Sequence, residues 1–100
     1  MNLVTAIAAD RRLFILRLLR ELGGDASESV LLSAARRNGF RRTTEAEMRL
    51  DIDHCRACNL VTVERRGPLL WITLTRPDGI DVVSGRVSCD GVSRPDLVED

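Results

Sequence analysis

The chain has 100 residues, room for one compact domain and not for two. Apolar residues make up 44% of it, which supports a packed core and argues against global disorder. Its 15 acids are matched by 15 bases, all of them Arg, which excludes a strongly basic nucleic-acid coat or an acidic solvating chain.

That equality conceals an asymmetry. Residues 1–76 hold 13 Arg against nine acids, whereas residues 77–100 hold Arg86 and Arg94 against Asp78, Asp81, Asp90, Asp96, Glu99 and Asp100. A mildly basic body is followed by an acidic end. No apolar run approaches the roughly 18 residues that span a bilayer, and Asp10-Arg11-Arg12 interrupts the first apolar stretch before any signal-cleavage pattern. Three Cys are odd in number and sparse, which points to a reducing, cytosolic compartment without membrane association.

In chain order, the first predicted helix runs from about Leu3 to Leu22. Leu3, Ile7, Phe14 and Leu18 form one stripe at helical spacing, with Val4, Ile15, Leu19 and Leu22 beside it. Together they span an arc of about 160°, wider than the roughly 100° a surface helix needs against a single core. Leu13 and Leu16 fall outside even that arc. The surplus predicts a second partner, most simply another copy of the same helix in a homodimer through Leu3, Ile7, Phe14 and Leu18. Gly23-Gly24 ends the helix.

Ser27 caps a second helix whose apolar face is Val30, Leu31, Ala34 and Ala35, and Asn38-Gly39 stops it. After Arg41-Arg42, the capping box Thr44-x-x-Glu47 starts a third helix with Met48, Ile52 and Cys55 on its core face, ending near Asn59. A connection of about four or five residues makes the two a helix-turn-helix. The apolar period then changes to two. Val61 and Val63 alternate with polar residues, as do Leu70, Ile72 and Leu74, and Arg65-Arg66-Gly67-Pro68 forms the turn of a β-hairpin. Leu69 and Trp71 point to its outer face. Thr75 caps a short helix (Ile80, Val82, Val83) that Gly85 closes, and beyond it the chain reads as an extended tail. The predicted class is α+β, mainly α: a winged helix-turn-helix of three helices, a hairpin wing and a short C-terminal helix over residues 1–85, with an extended tail over 86–100.

Several strings resemble small winged-helix proteins encoded in Mu-like prophages. They are Asp10-Arg11-Arg12-Leu13 with Ile15-Leu16-Arg17-Leu18-Leu19, Glu28-Ser29-Val30-Leu31-Leu32, and Asn59-Leu60-Val61-Thr62-Val63-Glu64. Leu74-Thr75 with Asp81-Val82, Gly85-Arg86 and Gly91-Val92-Ser93-Arg94-Pro95 continue the match to about residue 95. The resemblance implies a fold like that of the ArsR/MarR-type DNA-binding repressors and a location in the host-cell cytoplasm. The chain departs from the family at His54 and Cys55, where relatives carry a large apolar or aromatic residue followed by Leu.

The residues themselves divide on DNA. The helix over 44–57 carries Glu45, Glu47, Asp51 and Asp53 against Arg49 and Arg56, which disfavours its approach to phosphate. Three Arg pairs stand where phosphate contacts help: Arg36-Arg37 ending the second helix, Arg41-Arg42 before the third, and Arg65-Arg66 on the wing. The predicted role is therefore transcription-regulator-like binding of double-stranded DNA through Arg36, Arg37, Arg41, Arg42, Arg49, Arg65 and Arg66. The alternative is a non-enzymatic adaptor for a phage or host protein, supported by Ala46, Leu50 and Ala57 on the third helix and by Leu69 and Trp71.

His54-Cys55-Arg56-Ala57-Cys58 is the one run with metal-ligand character, with His54 and Cys58 on one helix face and Cys89 available from the tail. A lone CxxC lacks the second pair of a zinc ribbon, and Cys55 is needed in the core. The expectation is no metal, no cofactor and no stoichiometric zinc, with His54, Cys58 and Cys89 the ligand set on offer. No phosphate loop, HExxH or GxSxG is present, and an enzyme is not expected. Asp51 and Asp53 are expected to be solvated surface.

Overall fold

Asn2 and the apolar run behind it begin the first element. In the computed structural model, which describes residues 2–95, helix α1 spans Leu3–Glu21, and the Asn2 side chain accepts the Thr5 N–H at 2.8 Å. Gly23 and Gly24, both at positive φ, turn the chain into a short strand, β1 (Asp25–Ser27). The sequence reading has no counterpart for β1, since three residues are too few to display alternation. Ser27 also acts as the expected cap, its Oγ accepting the Val30 N–H at 3.3 Å at the start of α2 (Glu28–Arg37).

Residues 38–44 connect α2 to α3 (Glu45–Ala57), a longer link than expected. The predicted capping box is present: Thr44 Oγ1 accepts the Glu47 N–H, and Glu47 Oε1 accepts the Thr44 N–H, each at 3.0 Å. The Thr44 N–H bond holds the Glu47 carboxyl below its ordinary pKa.

Strands β2 (Val61–Arg66) and β3 (Leu69–Leu74) form the predicted hairpin. Arg66 pairs with Leu69, so the turn is Gly67-Pro68 alone and both wing arginines belong to the strand. β1 adds to the other side of β3, with Ala26 opposite Ile72 and Ser27 opposite Trp71. The expected two-stranded ribbon is thus a three-stranded antiparallel sheet in the order β1-β3-β2. Thr75 Oγ1 accepts the Gly79 N–H at 2.8 Å and begins α4 (Asp78–Val83).

The helices cover the inner sheet face around Ile15, Leu16, Leu31, Met48, Ile52 and Ile72, all essentially fully buried. Each such side chain contributes about 1.5–3 kcal/mol relative to remaining exposed. The buried side of α1 is not the predicted stripe. Leu13 and Leu16 are buried, Phe14 and Leu18 are half-buried against the same core, and Leu3 is 74% exposed. Part of the surplus apolar arc finds its partners within the chain, because α1 packs against α2, α3, α4 and the sheet at once, while Leu3, Val4, Ile7 and Leu22 stay exposed. On α2 it is Leu32 that is buried, and Val30 lies on the surface. Trp71 sits on the central strand rather than at an edge, half-buried, with the Arg66 guanidinium 4.8 Å from its ring centre.

Residues 86–95 do not extend away. The Ser93 N–H donates to the Ala9 carbonyl at 3.2 Å, Ser93 Oγ–H donates to the Asp10 carboxylate, and Val92 is buried. Of the expected tail, residues 96–100, with Asp96, Leu97, Glu99 and Asp100, lie outside the described residues.

Candidate nucleic-acid interface

The seven arginines singled out in the sequence meet different surroundings. Arg49 is bound to Glu28 through two bonds of 2.6 and 2.8 Å, which ties α3 to the start of α2. That carboxylate holds the guanidinium more firmly in its charged form. Arg36 donates from Nε to the Thr43 carbonyl at 2.8 Å and so braces the turn before α3. Arg66 meets Glu64 at 3.2 Å and lies over Trp71. Arg37, Arg41, Arg42 and Arg65 are exposed and form no ion pair with any described residue. The turn before α3 and the tip of the hairpin therefore carry uncompensated positive charge.

Asp51 reverses its expected role. It is 1% exposed, between Arg11 Nε, which donates to its Oδ2, and Arg12 Nε, which donates to its Oδ1 at 3.0 Å. Arg12 also donates to the Gly91 carbonyl at 3.0 Å. One buried carboxylate thus fastens α3 to α1, and through Arg12 to the C-terminal strap. Withdrawing Asp51 from the surface leaves Glu45, Glu47 and Asp53 exposed on α3 against Arg49 and Arg56. The helix remains acidic, but less so than its sequence suggests.

A groove of about 710 Å³ lies between the first half of α1 and the turn before α3. Val4, Ile7, Phe40 and Leu50 supply its apolar lining, and Arg41 and Arg42 stand at its side. The Phe40 ring packs on Phe14 with centres 5.7 Å apart, so Phe14 is committed within the chain. Among the predicted dimer residues, Leu3 and Ile7 remain largely exposed, and Val4 joins them at 75%.

The third cluster is at the far end of α3. A ring nitrogen of His54 and the sulfurs of Cys58 and Cys89 lie within 4.8 Å of one another. Cys55 is buried in the core, where desolvation pushes its thiol up to about 12. Burial and the neighbouring Cys58 push the Cys89 thiol up to about 11.

No family model matches the chain. It is 37% identical over 89 residues to the uncharacterized protein gp26 of Escherichia phage Mu, covering 89% of this chain and 91% of that one. The chain belongs to the family of phage Mu gp26. Residues from several of the strings quoted for the Mu-like resemblance meet in the fold. Asp10 meets Ser93, Arg12 meets Gly91, and Asp81 meets Arg86 at 3.1 Å. A solved structure of BpsR from Bordetella bronchiseptica, concerned with regulation of its DNA binding by 6-hydroxynicotinic acid, is also similar. The likeness has a TM-score of 0.60 at 27% identity and covers 74% of this chain. This chain spans about half, 48%, of the BpsR chain.

The sequence missed Arg11, Arg12 and Asp51 as a unit. Their only signal was an unexplained charge pair inside an apolar helix.

Proposed function

We propose that this gp26-family protein is a winged helix-turn-helix, ArsR/MarR-like protein that binds double-stranded DNA in the host cytoplasm without enzymatic activity. The likeness to BpsR carries the reading, since it covers 74% of this chain and the neighbour is a protein whose DNA binding is regulated. Uncompensated Arg37, Arg41, Arg42 and Arg65 supply the phosphate contacts in this reading, with Arg36, Arg49 and Arg66 acting more as braces than as contacts. The outward face of α3 offers Ala46, Leu50, Asp53 and Ala57, which have few donors for base edges. Binding is therefore expected to depend on the DNA backbone and salt more than on sequence.

Titrating a mixed-sequence duplex at low and moderate salt tests this. Affinity is expected to fall steeply with salt, and replacing Arg41, Arg42 or Arg65 by Ala should each lower the logarithmic salt slope by about 1. Absence of binding at low salt overturns the proposal.

The exposed Leu3, Val4 and Ile7, beside the apolar groove, favour a second reading in which α1 docks a protein, first of all another copy of this chain. Ile7→Glu should then convert a dimer to a folded monomer. A mass in solution that Ile7→Glu leaves unchanged removes α1 as the interface.

A further inference from the structure

Helix α3 ends in a chemistry that DNA binding does not use. His54 and Cys58 are one helical turn apart and share a face, and Cys89 is brought to them by the strap over residues 86–95. Four hydrogen bonds hold that strap in place: Arg12 to the Gly91 carbonyl, the Ser93 N–H to the Ala9 carbonyl, Ser93 Oγ–H to Asp10, and the His54 ring to the Asp90 carbonyl. Gly91, at φ +84°, is required for the fit, since a Cβ there would stand 2.6 Å from the His54 ring. The meeting of these residues, far apart in sequence, is thus built by the fold.

We propose that His54, Cys58 and Cys89 form a zinc-binding site that locks the strap onto the end of α3. The donor set is one imidazole nitrogen and two sulfurs, a soft combination that selects Zn²⁺ or another thiophilic ion over Mg²⁺ or Ca²⁺. Two thiolates cancel the charge of the ion, so the complex is neutral in a half-buried setting. The imidazole is held by the strap itself. Its Nε2 lies 2.8 Å from the Asp90 carbonyl, which only accepts, so in the proposed site Nε2–H donates there and Nδ1 is the nitrogen left for the ion.

Bond lengths of about 2.0–2.3 Å around a tetrahedral ion put ligand atoms about 3.5–3.8 Å apart. The present 4.8 Å limit therefore asks for a contraction that side-chain rotation at the exposed Cys58 supplies. Cys58 and Cys89 also line a cavity of about 180 Å³ with Leu60, Asp78, Asp81 and Val87, which gives an ion a path to the two sulfurs. The sequence offered His54, Cys58 and Cys89 as a ligand set but expected no zinc, because a lone CxxC lacks a second pair and Cys55 is needed in the core; the fold brings the three remaining donors together without Cys55.

Cobalt titration of the reduced full chain tests the site. The expected result is one Co²⁺ per chain, with thiolate-to-metal charge-transfer absorption and the visible bands of tetrahedral cobalt, displaced by Zn²⁺. Zinc should also raise the melting temperature. Cys58→Ser and Cys89→Ser should each weaken metal binding by about 100-fold or more while circular dichroism remains unchanged. Failure of the reduced protein to take up cobalt overturns the proposal, as does binding that both variants retain. Formation of a Cys58–Cys89 disulfide in a protein that binds no metal when reduced would mark the pair as a redox couple and reject the metal site.

Discussion

Arg11-Arg12 and Arg41-Arg42 are the same dipeptide in opposite circumstances. The first lies inside α1, where both guanidiniums converge on the buried Asp51 and hold two helices and the strap together. The second lies in the turn before α3, exposed and without an ion pair to any described residue. The difference is between a charge whose partner is built in and one whose partner must come from outside. Buried charges require a near-complete set of hydrogen bonds, so the first pair has little freedom to act on a ligand. Exposed, unpaired charges contribute almost nothing to stability but remain available to a polyanion.

Removing the shared acid breaks the first pair most severely. Asp51→Ala leaves buried Arg11 and half-buried Arg12 facing each other without their shared carboxylate, and a loss of about 3–5 kcal/mol is expected in chemical denaturation. A loss below about 1 kcal/mol would show that water reaches the pair and that its burial has little energetic consequence.

The start of α3 gives an intermediate effect. Thr44→Ala should cost about 1 kcal/mol through loss of the cap. The partner carboxylate adds a pH dependence. Because the folded pKa of Glu47 is lowered, its stabilisation is present above the ordinary glutamate range and disappears as pH falls through the lowered folded value. Glu47→Gln should flatten that part of the stability profile, and an unchanged acid limb would exclude the carboxylate as its source.

The smallest effect on stability belongs to the second pair. Arg41→Ala with Arg42→Ala should move the unfolding free energy by no more than about 0.5 kcal/mol, even where the salt slope of DNA binding changes. A large destabilisation would mean that these arginines are structural, like Arg11 and Arg12, and the contrast between the two dipeptides would collapse.

Much of the architecture is legible in local patterns. The capping box at Thr44, the change to alternating apolar residues after Leu60, and the stops at Gly23-Gly24 and Asn38-Gly39 all depend on neighbours a few residues away. The face of α1 is not legible in the same way. A helix surrounded on several sides has apolar residues around much of its circumference, and the helical wheel does not say which of them meet α4 and the sheet of the same chain and which, like Leu3 and Val4, stay exposed. β1 was missed for a related reason: a three-residue strand is defined by its pairing with β3 rather than by any pattern of its own.

The sequence by itself determined the helices, the hairpin and the positions of the arginine pairs, because caps, periodicity and turn residues act over one or two turns of chain. Only the tertiary structure decided which arginines are occupied, that Asp51 is buried, and that Cys89 reaches His54 and Cys58. Asp51 stands 40 positions from Arg11, Gly91 stands 79 from Arg12, and Glu28 stands 21 from Arg49. Their geometry exists only once the core has set the distance between α1, α3 and the strap.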